Sequence, residues 1–304
     1  MAKVFVTRAL PGDALERLRS EHEVSVWDAP LPPEAAVLRE RVADVEGLLC
    51  LLTDRIDTAL LDSAPRLRAI ANFAVGTDNI DLAQTRARGI PVGVTPDVLT
   101  EATADLAFAL LLAAARRLPE AQAAAREGAW RTWEPAGWLG ADVHGAALGI
   151  VGFGRIGRAM ARRAEGFAMT IRSTADTDLE TLLATSDFVS LHCPLNDRTR
   201  HLIDAAALAS MKPTAILINT ARGGVVDQAA LIDALRNGTI AAAAIDVTDP
   251  EPPPSGDSIF DTPNLLVVPH IGSATRTARA RMTELSVDNL LAGLAGRPMP
   301  NPAP

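Results

Sequence analysis

Short apolar runs alternate with segments whose apolar residues recur every three or four positions. In the first third, residues 4–6, 24–27, 47–52, 67–73 and 90–94 read as strands. Residues 14–20, 34–45 and 81–88, between them, read as amphipathic helices. Strands interleaved with helices in this way predict a parallel sheet with helices on both faces. A longer apolar helix follows from Thr100 to Arg117, with Pro96 and Asp97 before it and Pro119 ending it. Its alanine and leucine content predicts burial between domains or subunits. Residues 128–145 carry Trp130, Trp133 and Trp138 among Gly and Pro without a period, which predicts an ordered loop. The alternation restarts at residues 147–151 and continues through 187–191, 215–218, 242–246 and 265–268. The last helix, residues 274–294, is expected to return to the first domain.

A chain of 304 residues exceeds one ordinary core and suits two domains. Hydrophobic residues make up 48% and charged residues 22%, enough apolar surface for a substantial core. The longest uncharged apolar run, residues 106–115, is too short to span a bilayer and ends at Arg116. The N-terminus enters a strand pattern directly, so no signal peptide and a cytoplasmic location are expected. The net charge is −8 with no basic cluster, which argues against a nucleic-acid partner. Cys50 and Cys193 lie far apart inside apolar runs and read as buried free thiols in a reducing compartment. No His/Cys spacing predicts a metal site. Arginine supplies all but Lys3 and Lys212 of the 29 basic residues. An arginine therefore says little by its type; its position has to carry the argument.

Residues 147–151 are followed by Gly152-Phe-Gly154-Arg155-Ile156-Gly157 and a helical run, residues 158–165. This is the dinucleotide fingerprint in its strand–turn–helix setting. Gly152 serves the tight turn, Gly154 the close approach of the pyrophosphate, and Gly157 the packing of helix on strand. The N–H groups of Arg155 and Ile156 face the anion at the helix N-terminus. The strand expected at residues 168–171 runs into Arg172-Ser-Thr-Ala-Asp176, and Arg172 with Ser173 and Thr174 suits the 2′-phosphate of NADP, with NAD as the other choice. This region is short by roughly a dozen residues relative to a complete βαβ unit, so either part of the ribose pocket is lost or a loop is missing from the sequence.

Three later segments fall just beyond strand ends, where α/β sheets bind ligands. They are Asn219-Thr220-Ala221-Arg222-Gly-Gly224, Asp246-Val-Thr-Asp-Pro-Glu251-Pro252 and Pro269-His270-Ile-Gly272-Ser273. A guanidinium can hold a carboxylate through two bonds and polarise the adjoining carbonyl. An imidazolium can protonate the carbonyl oxygen as hydride reaches carbon. A carboxylate beside that imidazole orients it and favours its charged form. Each residue alone also reads as an ordinary loop or core residue; at three strand ends after a nucleotide fingerprint, Arg222, Glu251 and His270 read as a catalytic set. Asp246 is placed to face the nicotinamide. His22, His144, His192 and His201 lack this setting and read as structural or surface residues.

These four motifs, with Asn72-Phe-Ala-Val-Gly-Thr-Asp-Asn-Ile-Asp81, the tryptophan loop and the end from Asn289 to Pro300, resemble the D-2-hydroxyacid dehydrogenase family. The likeness spans nearly the whole chain and is strongest with the glyoxylate/hydroxypyruvate reductases. It implies a central Rossmann-type doubly wound parallel sheet domain, residues 99–278. With it comes a discontinuous flavodoxin-like α/β substrate domain, residues 1–98 and 279–304. It implies an NAD(P)-dependent oxidoreductase that reduces a small 2-keto acid to the D-2-hydroxy acid, acting as a homodimer. His270 is then the proton donor, Glu251 its partner, and Arg222 the keto-acid grip. Backbone groups of Val75 and Gly76, beside Leu52, are implied to hold the substrate carboxylate, with Ser273 nearby and Trp138 reaching the partner subunit. Thr103, Pro194, Thr220, Ala221, Asp246, His270 and Gly272 join the glycine loop and Arg172 as the implied cofactor contacts. Two alternatives stay open: an NAD(H)-sensing binding protein of the same fold, and a dehydrogenase for a different 2-keto acid. Glu251 stands where a formate-type enzyme would carry Gln. A 3-phosphoglycerate-type enzyme would want more cations than Arg55 in the 51–55 loop.

Overall fold

In the computed structural model all residues, 1–304, are described, and they divide into two units. Unit one is Met1–Leu99 with Ala274–Pro304; unit two is Thr100–Ser273. The second crossing falls five residues before the expected 278/279 boundary, for a local reason. The Thr275 hydroxyl accepts from Ala278 N at 3.1 Å and caps the last helix at its true start. The helix then belongs to unit one over its whole length.

Unit one runs β1 (Lys3–Val6), α1 (Leu15–Glu21), β2 (Glu23–Val26), α2 (Ala35–Val42), β3 (Gly47–Cys50), α3 (Thr58–Asp62), β4 (Ala69–Asn72), α4 (Leu82–Ala87) and β5 (Val92–Gly93). The strands are all parallel in the order β2-β1-β3-β4-β5. The central strands β3 and β4 are buried at every residue, which is why they read as unbroken apolar runs. Val6, Leu49, Ala69 and Ala71 form a core with Leu290 and Leu294 of the last helix, while Phe5, Leu48 and Ile70 pack with Leu38, Val42 and Leu61 on the other face.

Unit two begins with α5 (Thr100–Ala115) and α6 (Leu118–Arg126). It continues through β6 (Ala147–Val151), α7 (Arg155–Glu165), β7 (Thr170–Ser173), α8 (Leu179–Thr185), β8 (Phe188–Leu191), α9 (Ala205–Ser210) and β9 (Ile216–Asn219). α10 (Gln228–Arg236), β10 (Ala242–Ile245) and β11 (Leu265–Val267) complete it, and the chain ends on α11 (Arg276–Leu294) in unit one. The strands are parallel in the order β11-β10-β9-β8-β6-β7. Apolar layers cover both faces, one built on Val189, Leu217 and Ala243, the other on Leu148, Ile150, Ile218 and Ala244 with α5 and α7.

A doubly wound sheet usually carries a third strand outside the second. Here β7 is the edge: residues 174–177 make a turn, and Asp178 caps α8 by accepting from Thr181 N at 2.8 Å. The region that reads as short in the sequence thus places no strand outside β7. Three expectations need correction. The sequence pattern does not show α3 or α6, and Pro119 begins α6 as well as following α5, because the left-handed Arg117 (φ 50°) breaks the chain between them. The strand expected at 168–171 starts later, since Ala168 adopts φ 54° and pairing starts at Thr170. Arg172 therefore lies inside β7 opposite Gly149, and Thr174 is the residue just past the strand.

Candidate active site

The turn after β6 is built for close approach. Gly152 has φ +93°, and a Cβ there would stand 2.5 Å from Cys193 N. A Cβ on Gly157 would stand 2.3 Å from Gly152 O, so only glycine lets α7 pack on its strand. Gly154 differs: nothing lies within 4 Å of its Cβ position. It is the N-cap of α7 and supplies no side-chain cap, and N–H groups at a helix start favour an anion. An uncapped helix start beside open space at Gly154 fits a pyrophosphate. Thr174 closes the near side, its hydroxyl accepting from Gly152 N at 3.0 Å. The turn's acid, Asp176, is drawn inward: one carboxylate oxygen accepts from Ser173 N and Ser173 Oγ, both at 3.2 Å. Those bonds hold its pKa below the usual carboxylate value.

The three strand-end segments stand together in unit two. β9 delivers Arg222 in extended backbone, its Nη1 donating to Ala221 O at 2.8 Å. After β10, Glu251 is flanked by Pro250 and Pro252, which narrow its backbone choices. One of its carboxylate oxygens accepts from Thr248 N at 3.3 Å, and the other meets His270 Nδ1 at 2.5 Å. His270 follows β11 with φ 51°, its N–H directed at Asp246 O at 2.9 Å. Asp246, expected to face the nicotinamide, stands just past the end of β10. Asp246 is 2% exposed, and its carboxylate oxygens accept from Ile271 N at 2.6 Å and Gly272 N at 2.7 Å. Burial raises its pKa above the usual value, against those two N–H donors. Its visible work is to hold the 270–272 loop that presents the imidazole.

Among the other expected residues, Thr103 is buried against Gly272, Thr220 is buried with its hydroxyl unpartnered, and Ala221 is buried between Thr220 and Arg222. Pro194 is exposed after β8, and Ser273 is half-buried at the end of the unit. Trp138 lies far along the 128–145 segment with the Arg117 guanidinium over its ring at 5.7 Å. No group of three or more His, Cys, Asp or Glu side chains is arranged to hold a metal ion.

In unit one, Leu52 follows β3, and Val75 and Gly76 follow β4. A buried polar net that the sequence did not announce shapes these loops. Asp54 accepts from Leu51 N at 2.7 Å and from the Thr7 hydroxyl at 2.5 Å. Asn79 donates to Leu51 O at 3.0 Å and Asp54 O at 3.1 Å, while Asn72 donates to Gly76 O at 2.8 Å. Burial raises the Asp54 pKa. The one signal in the sequence is the uneven placement of Asn and Asp among apolar neighbours at strand ends.

Comparison with known proteins accounts for this arrangement. Residues 108–272 match the family model described as D-isomer specific 2-hydroxyacid dehydrogenase, NAD binding domain. The chain is 48% identical to a glyoxylate reductase of Thermococcus litoralis, over 98% of this chain and 96% of that protein. A glyoxylate reductase of Korarchaeum cryptofilum is also 48% identical, over 98% and 95%. Among solved structures, a protein of Thermus thermophilus superposes with a TM-score of 0.94 at 49% identity, covering 99% of this chain and 100% of that one. An NADPH-dependent glyoxylate/hydroxypyruvate reductase of Sinorhizobium meliloti, solved with NADP and malonate, gives 0.87 at 34% identity, covering 99% and 96%. The chain belongs to the D-isomer specific 2-hydroxyacid dehydrogenase family and is an NAD(P)-dependent oxidoreductase that reduces a 2-keto acid.

Proposed function

We propose that this dehydrogenase reduces glyoxylate or hydroxypyruvate to the D-2-hydroxy acid, with His270 as proton donor and NADPH as the preferred reductant. The observation that carries the reading is the 2.5 Å contact of His270 Nδ1 with Glu251. A carboxylate at that nitrogen stabilises the imidazolium and leaves Nε2 to give its proton to the carbonyl oxygen. The nicotinamide supplies the hydride when bound. Arg222 grips the keto acid and draws electron density toward the oxygen that is protonated. Leu52, Val75 and Gly76 serve the substrate carboxylate through backbone N–H groups, with Ser273 among the substrate contacts. Thr103, Pro194, Thr220, Ala221, Asp246 and Gly272 are assigned to the cofactor together with the 152–157 turn.

Preference for NADPH rests on the turn after β7. Arg172 is a cation at the edge of the sheet, and the only acid in that turn, Asp176, is committed to Ser173. The relative from Sinorhizobium meliloti is itself NADPH-dependent. We place the protein in the cytoplasm, where the buried thiols Cys50 and Cys193 stay reduced. We also propose a homodimer, for which the exposed tryptophans of the 128–145 segment are the support.

Steady-state oxidation of NADPH and NADH against glyoxylate, hydroxypyruvate and pyruvate tests the reading. The expected result is turnover of the first two keto acids, a higher kcat/KM with NADPH, and a loss of about 10²–10⁴ in kcat for His270→Ala. Arg222→Ala should raise KM and lower kcat together, since the guanidinium acts in ground and transition states. Binding of reduced cofactor without turnover of any keto acid would replace the enzyme reading by that of a nicotinamide sensor. A clear preference for NADH would refute the role given to Arg172.

A further inference from the structure

We infer that Asn219 is the positioning residue for Arg222, an inference that rests on reading Arg222 as the grip on the keto acid. Asn219 is the last residue of β9 and is 1% exposed. Its carboxamide oxygen accepts from Ala221 N at 3.0 Å, and its amide nitrogen donates to Arg222 O at 2.9 Å. One planar group thus fixes the peptide before Ala221 and the peptide after Arg222. Between them lies the peptide whose carbonyl, Ala221 O, takes the Arg222 Nη1 at 2.8 Å. The guanidinium leans on a peptide clamped from both sides.

The surroundings remove any slack. The main-chain oxygen of Asn219 accepts from Asp246 N at 2.8 Å, which ties the end of β9 to the end of β10. On the far side, a Cβ at Gly223 would lie 2.0 Å from Thr248 O, so the chain leaves Arg222 pressed against the next loop. Asparagine suits this place because the clamp needs one acceptor and one donor from a single short side chain. Aspartate there would set a carboxylate oxygen against the carbonyl of Arg222. Serine keeps an acceptor for Ala221 N but offers no amide to Arg222 O.

The test is a double-mutant cycle on the full chain, with Asn219→Ala and Asn219→Ser each made alone and in an Arg222→Ala background. Glyoxylate kinetics are read beside the Kd of NADPH, measured by fluorescence, and the thermal midpoint. Alone, either change should raise the glyoxylate KM about tenfold or more, because a small displacement of a positioned group is costly. The Kd of NADPH should change much less than the glyoxylate KM, since Asn219 touches only the backbone of Ala221 among the residues assigned to the cofactor and the 152–157 turn is untouched. In the Arg222→Ala background the same changes should alter kcat/KM less than about twofold, because residues acting through one group are not additive. Full additivity would overturn the inference alone, as would an unchanged KM in the single variants or a parallel loss of NADPH affinity. An Arg222→Ala enzyme that keeps the wild-type KM would instead overturn the reading of Arg222, and this inference with it.

Discussion

His270 is one histidine among five, and what separates it from the others is the charge at its Nδ1. Glu251→Gln keeps the shape of that partner and removes its charge. With less electrostatic support for the imidazolium that gives the proton, kcat for keto-acid reduction should fall by about tenfold or more. Equal kcat for the two proteins would deny Glu251 its electrostatic role. His192 is the opposite case. It follows β8 with Nε2 at 2.9 Å from Ser190 Oγ and Nδ1 buried without a partner, and burial lowers its pKa to about 4. In the unfolded chain the same group titrates near its ordinary value of 6.5. Between those two values the unfolded chain binds the additional proton, so folding stability falls as pH is lowered through that window. This one residue contributes about 3 kcal/mol to the fall. His192→Gln, which does not titrate, should flatten the dependence of urea-unfolding free energy on pH between 6.5 and 4. A slope identical to the wild type would show that His192 takes up its proton as readily in the folded protein as in the unfolded chain.

At the scale of elements, the glycine turn separates a folding requirement from a binding one. Gly157→Ala puts a methyl group 2.3 Å from Gly152 O and should lower the thermal midpoint. Gly154→Ala meets nothing within 4 Å, so the midpoint of the cofactor-free protein should not move, yet NADPH affinity should fall by about tenfold or more. Equal NADPH affinity for Gly154→Ala and wild type would mean that the pyrophosphate passes elsewhere. This turn was legible in the sequence because β6, the glycines and α7 each leave a local pattern. So were the buried strands β3, β4, β8, β9 and β10, whose apolar runs reflect cover on both faces. α6 was hidden because Pro119 ends one helical pattern and opens the next, and the break rests on the backbone angle of Arg117. The position of Arg172 slipped for the same kind of reason, a left-handed Ala168 that delays β7. Asn219 and Asp246 were legible as strand-end polar residues, but not what they hold. Their partners are backbone atoms, which no residue pattern records.

Over the whole molecule, most charge is spent at the surface. Arginines pair with acids in exposed bridges such as Arg68 with Glu46 and Arg163 with Glu101, contacts worth little individually. Against that polar surface the 128–145 segment is an exception: Trp130 is 72% exposed, Trp133 79% and Leu139 68%. Aromatic side chains left in water on a polar surface mark a contact waiting for its partner, and a second copy of the chain is the partner the homodimer proposal supplies. Light scattering should then give twice the chain's 32.0 kDa for the wild type. Trp130→Ala with Trp133→Ala, which removes two of the largest exposed rings, should move the weight average toward the single-chain mass at micromolar concentration. NADPH affinity should be retained, because the 152–157 turn does not include these residues. A dimer undisturbed by both changes would place the subunit contact on another face, and a wild-type chain that is monomeric at all concentrations would end the homodimer proposal.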